Sequence, residues 1–209
     1  VDAGYTLCMV LKDRIDDYKA EHGRIPKIIM LKNHGIFVSG DSADEIRSLY
    51  SSVMKPLREE YDGMGIDENL GISDGSRDRD TESKIQHIFG EDAAFLQSSG
   101  HFECVPGPIT PDHLVYARAF PFSGELTQEN ADAYRTKHGF APKVVIHGNR
   151  VYGLGKTEKN ACLALLFAQD GAQVLSLSQA FGGIKYMTDR AREFIENWEV
   201  ESYREQVAS

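Results

Sequence analysis

The chain reads as an α/β protein with a mainly antiparallel sheet covered by helices and built around an internal repeat. Two observations predict this. First, residues 18–30 (YKAEHGRIPKIIM) recur as residues 134–146 (YRTKHGFAPKVVI) at a constant offset of 116. Tyr18, His22, Gly23, Pro26 and Lys27 match Tyr134, His138, Gly139, Pro142 and Lys143, and the following Ile28-Ile29 becomes Val144-Val145, which keeps strand character. Second, each copy runs helix, strand, tight turn, strand, helix, and strands joined by a short turn must be antiparallel.

Each element has a local cause. A helix ends at His22-Gly23 and at His138-Gly139: the glycine suits a left-handed C-cap and the histidine the negative end of the helix dipole. Proline then blocks further helix and a β-branched strand begins. One residue is deleted in the second turn, and the strands run on through Gly40 and Gly155. Ser42 and Thr157 are N-caps with acidic residues in the first turn. Patterning predicts helices at 4–22, 42–62, 81–97, 127–138, 157–180 and 187–206, an extended segment near 113–117, and a polar, glycine-rich loop over 59–80. The corresponding division is 1–62, a polar linker and helix over 63–100, and a second, degenerate repeat over 101–209.

Composition narrows the function classes. Of the 209 residues, 41% are hydrophobic and 26% charged, as in a domain with a real core. A formal charge of -9 repels phosphate backbones, so no nucleic-acid partner is expected. The run Ala161–Ala168 is too short for a membrane span, no signal peptide is visible, and no membrane association is expected. The three distant cysteines, Cys8, Cys104 and Cys162, form no disulfide framework, which fits a reducing, cytoplasmic setting.

Of the seven histidines, His22 and His138 are caps, while His87 and His113 read as packing or surface residues. His101, in HFEC, lacks the Pro-Cys-x-x-Cys partner of zinc deaminases. His34 differs: it lies between two strands in MLKNHGIFVSG, a rigid mount for a metal ligand, with Gly35 leaving the imidazole open. Asn33-His34-Gly35 also reads as a turn-forming triplet, and spacing alone favours that reading. Gly153-Leu154-Gly155-Lys156-Thr157 has the end of a P-loop, but Arg150 stands where its first glycine belongs, and the repeat explains the segment as a strand-to-helix turn.

The segment Ile28–Ile46 (IIMLKNHGIFVSGDSADEI) resembles the final motif of class II aldolase/adducin domains, and DAGYTL resembles the segment before it. TPDHLVY, PKVVI, VYGLGKT and FIENWEVE are similar to the aldolase half of fused aldolase/short-chain dehydrogenase proteins, a group resembling rhamnulose-phosphate aldolases. The resemblance implies a class II aldolase-like α/β/α fold and a lyase acting on a sugar phosphate or related hydroxy-carbonyl, in a homo-oligomer. It implies a divalent metal, zinc, held by three histidines, of which His34 matches the last. The family's His-x-His pair, acidic residue and glycine-rich phosphate loops lie upstream of this motif; no His-x-His occurs in this chain, and an N-terminal part of the domain is expected outside it. The second copy has no histidine matching His34, since His147 falls two residues early. Arg77 and Arg79 are candidate phosphate contacts, or a solvated charge run with Asp74, Asp78 and Asp80. The competing expectation is a non-catalytic adducin-like binding or scaffold module, with His34 buried or hydrogen-bonded and no open cleft beside it.

Overall fold

A computed structural model describes residues 4–72 and 78–198. The last part of the expected final helix, beyond 198, lies outside the described residues, as do Asp74 and Arg77. The first unit is α1 (Tyr5–His22), β1 (Ile28–Leu31), β2 (Gly35–Val38) and α2 (Ala43–Gly63). Then come α3 (Arg79–Phe89), β3 (Phe95–Gly100) and α4 (Pro111–Tyr116). The second unit is α5 (Gln128–His138), β4 (Val144–His147), β5 (Arg150–Gly155) and α6 (Glu158–Ser178), with α7 (Asp189–Glu196) after it. The strands form two small antiparallel sheets, β1-β2 and β3-β5-β4.

The caps follow their residue chemistry. Gly23 and Gly139 take left-handed φ values of 67° and 81° and close α1 and α5. The Ser42 and Thr157 hydroxyls accept from the N–H groups of Glu45 and Asn160. The hairpin registers explain the deleted residue. Leu31 pairs with Gly35 across a three-residue loop, whereas His147 pairs with Arg150 across the two-residue turn Gly148-Asn149.

Two expected secondary-structure elements are corrected. The helix foreseen over 81–97 stops at Phe89, where Gly90 caps it; a short 3-10 turn follows, and β3 adds to the edge of β5. Apolar core side chains run on from α3 to Leu96 of β3, and what separates the two elements is the glycine break, which hydrophobic spacing alone does not weigh. The segment foreseen as extended near 113–117 is helical, because Thr110 accepts from the His113 N–H and Pro111 occupies the first helical turn.

The second unit is a three-layer stack. Val145, Tyr152 and Leu154 project from one sheet face into a core with Ile85, Ile88 and Phe89 of α3 and Ala131 and Tyr134 of α5. α6 covers the other face through Ala161, Ala164, Ala168, Gly171 and Ala172. By length and composition α6 with its 3-10 extension, Glu158–Phe181, is apolar enough to cross a membrane, a correction to the expectation that no stretch is; its small-residue face lies on the sheet. Gly153 and Gly155 permit that contact: a Cβ on Gly153 would lie 2.4 Å from the Ala161 carbonyl oxygen, and one on Gly155 2.4 Å from the Ala161 nitrogen. This close approach accounts for the glycines of the P-loop-like segment, and Lys156 sits exposed, 3.8 Å from Asp92.

The first unit is more open. Ile29 and Phe37 occupy the positions of Val145 and Tyr152, yet Phe37 is 52% exposed where Tyr152 is 1% exposed. α1 buries no residue. No element in the first unit stands where α3 and β3 stand in the second, among the described residues.

Candidate functional site

The β1–β2 loop, Lys32-Asn33-His34, is held from behind. Asn33 adopts a left-handed φ of 56°, which Asn tolerates better than most side chains. Its amide donates to the Ile109 carbonyl at 3.1 Å and the Lys185 carbonyl at 2.6 Å. One side chain thus ties the tip of the first hairpin to the segments leading into α4 and α7. The His34 N–H donates to the Leu31 carbonyl at 3.1 Å and closes the turn.

With its backbone fixed, His34 stands exposed at the mouth of a cleft of about 420 Å³ between the loop, α1 and α7. The walls are Leu7 and Val10 of α1, Leu31 of β1, and Ala191, Phe194 and Ile195 of α7. Lys32, Tyr186 and Thr188 add polar groups, and no carboxylate side chain lines the cleft among the described residues. The His34 imidazole has no side-chain hydrogen bond or ion pair among the described residues. A zinc site takes three or four protein ligands. No group of three or more His, Cys, Asp or Glu side chains comes together among the described residues, so His34 is a single donor and these residues do not by themselves complete a metal site.

The second unit has no counterpart to His34. His147 ends β4 opposite Arg150, in the position of Leu31, and the Arg150 guanidinium donates to the Ser98 hydroxyl at 3.0 Å. His87 and His101 are exposed, and His138 stacks among Phe120, Tyr134 and Phe140. Burial, with Lys137 and Arg192 nearby, lowers the His138 pKa. Arg79 opens α3 away from the cleft lining.

A polar cluster that sequence reasoning missed lies between α4 and α6. His113 Nδ1 is 2.7 Å from the Thr110 hydroxyl, and its Nε2 is 3.0 Å from Asp170 Oδ2. The second contact is a close approach of ring nitrogen and carboxylate rather than an aligned hydrogen bond. No spacing rule joins residues 113 and 170, so only the fold reveals the pair. The adjoining cavity holds about 30 Å³, room for a water molecule and not for a substrate. Cys104 lines it, and burial pushes its thiol up to about 12, which keeps it protonated and unreactive.

The polar contact with His113 holds the Asp170 carboxyl below its usual range. A depressed folded-state pKa gives stability that is present above the unfolded pKa of about 3.9 and lost as pH falls through the folded value. Asp170→Asn is therefore expected to lower the thermal midpoint at pH 7, with the difference from wild type closing as the pH falls below about 4. Because the carboxylate is 58% exposed, solvent screening limits the effect to about 1 kcal/mol or less. A difference that widens toward acid would reverse the assigned sign.

No family model, no curated protein and no solved structure matches the chain.

Proposed function

We propose that the chain is part of a metal-dependent lyase of the class II aldolase type, which cleaves or forms a carbon–carbon bond in a sugar phosphate or related hydroxy-carbonyl. The observation that carries this reading is the placement of His34: an exposed imidazole lining a cleft with no side-chain partner among the described residues, on a loop fixed from behind by Asn33. A histidine kept only as a turn former needs no cleft before it. As a neutral imidazole His34 offers one nitrogen lone pair, to a divalent cation such as zinc or to a proton in transit. The other donors for a cation would come from outside the described residues or from a second chain of a homo-oligomer, and no step of the reaction is assigned to it.

The two helix–hairpin–helix units read as a duplication in which the second copy lacks the imidazole. Matching element order, matching left-handed caps and matching N-cap hydroxyls support that reading. In a cytoplasmic lyase of this kind the first copy would carry chemistry and the second would carry stability. A second reading, an adducin-like binding module, draws on the exposed Met30 and Phe37 of the first hairpin.

Metal content tests the proposal. The full gene product, with whatever sequence precedes Val1, is expected to bind zinc stoichiometrically, and His34→Ala is expected to lower its affinity at least about tenfold. Metal-free protein, or zinc retained undiminished by His34→Ala, would leave the binding-module reading in its place.

A further inference from the structure

We propose that the cleft beside His34 takes a small amphipathic anion, with its charged end at Lys32 and His34 and its alkyl or aryl body against α1 and α7. The inference narrows the reading above to its hydroxy-carbonyl branch, with an apolar body in place of a sugar, and it rests on this cleft being the functional one. About 420 Å³ is the size of a small-molecule site, and such sites combine apolar walls with a few placed polar groups. Here the apolar lining comes from Leu7 and Val10 of α1 and from Phe194 and Ile195 of α7. The hydroxyls of a plain sugar would meet few partners along it, whereas an alkyl chain or ring would be drawn from water.

The polar end is one-sided in charge. Lys32 and His34 contribute nitrogen groups, no carboxylate side chain lines the cleft, and neither residue has a side-chain partner among the described residues. Asn33 between them is already committed to two backbone carbonyls. In a chain of formal charge -9, Lys32 and His34 on one loop, with no carboxylate lining the cleft among the described residues, form a local complement to an anion.

Isothermal titration of the full chain with octanoate, in chelator and without added metal, tests the class. One saturable site per chain is expected. 1-Octanol, with the same body and no charge, is expected to bind about fivefold more weakly or worse. The double variant Lys32→Gln/His34→Gln should reduce octanoate to the affinity of octanol, and Val10→Ser on the exposed face of α1 should weaken both. Absence of a saturable octanoate site overturns the proposal, as does a double variant that binds octanoate like wild type. Inorganic phosphate that saturates the site alone and displaces octanoate also overturns it, because the pocket would then select a fully polar anion. The two readings fail separately. Zinc bound through His34 without octanoate binding removes the ligand class and leaves the lyase; octanoate bound to protein that never takes metal does the reverse.

Discussion

Gly153→Ala should destabilise the protein by about 3 kcal/mol or more, at the upper end of overpacking substitutions, and lower its thermal midpoint by about 6–12 °C. The reason is the backbone of α6. The added methyl would stand 2.4 Å from the Ala161 carbonyl oxygen and 2.6 Å from the Leu165 nitrogen, both main-chain atoms that no rotamer change can move. α6 would have to lift from β5, opening the layer filled by Val144, Val151, Ala168 and Ala172. The first unit supplies the control. Val38 occupies the position of Gly153 in the β1–β2 hairpin, which shows that α2 does not lie against β2 in the same way. Val38→Ala is expected to cost less than about 1.5 kcal/mol. Equal midpoints for wild type and Gly153→Ala in thermal unfolding would mean that α6 does not rest on this strand.

Most of the architecture was legible where a residue type has one strong local meaning. His-Gly followed by Pro marks a helix end and a strand start at both Gly23 and Gly139, and the two hairpins differ by one residue in the turn. The fold was less legible where two periodicities compete. Residues 85–96 carry apolar side chains that serve α3 as Ile85, Ile88 and Phe89 and β3 as Leu96, and the positive-φ Gly90 between them sets the boundary. α4 was hidden by its length, since six residues show no periodicity and its signal is the Thr110-Pro111 cap. Of the candidate site, the sequence singled out His34, which the fold places in the β1–β2 loop beside a cleft. The cleft wall was not legible, because Leu7, Val10, Phe194 and Ile195 meet only when α1 and α7, at opposite ends of the chain, converge on the hairpin. The same limit applies to His113 and Asp170.

The residue between Lys32 and His34 gives the sharpest link between fold and site. Asn33→Ala is expected to cost about 3–4 kcal/mol, from two lost hydrogen bonds at roughly 1 kcal/mol each and the strain of a left-handed alanine at about 1–2 kcal/mol. Asn33→Gly removes the same bonds but keeps the φ of 56° without strain, so it should fall about 1–2 kcal/mol short of that cost. The order wild type, glycine, alanine in urea unfolding therefore separates the tether from the backbone conformation. Both variants leave the Ile109 and Lys185 carbonyls without the amide and free the hairpin tip from the segments before α4 and α7. Octanoate affinity should then fall in both variants by a similar factor, because the position of Lys32 and His34 depends on the tether and not on the strain. If alanine and glycine unfold like wild type, the amide contacts contribute nothing and the loop is placed by β1 and β2 alone. If stability drops while octanoate affinity holds, the tether serves the fold and His34 keeps its place by other means.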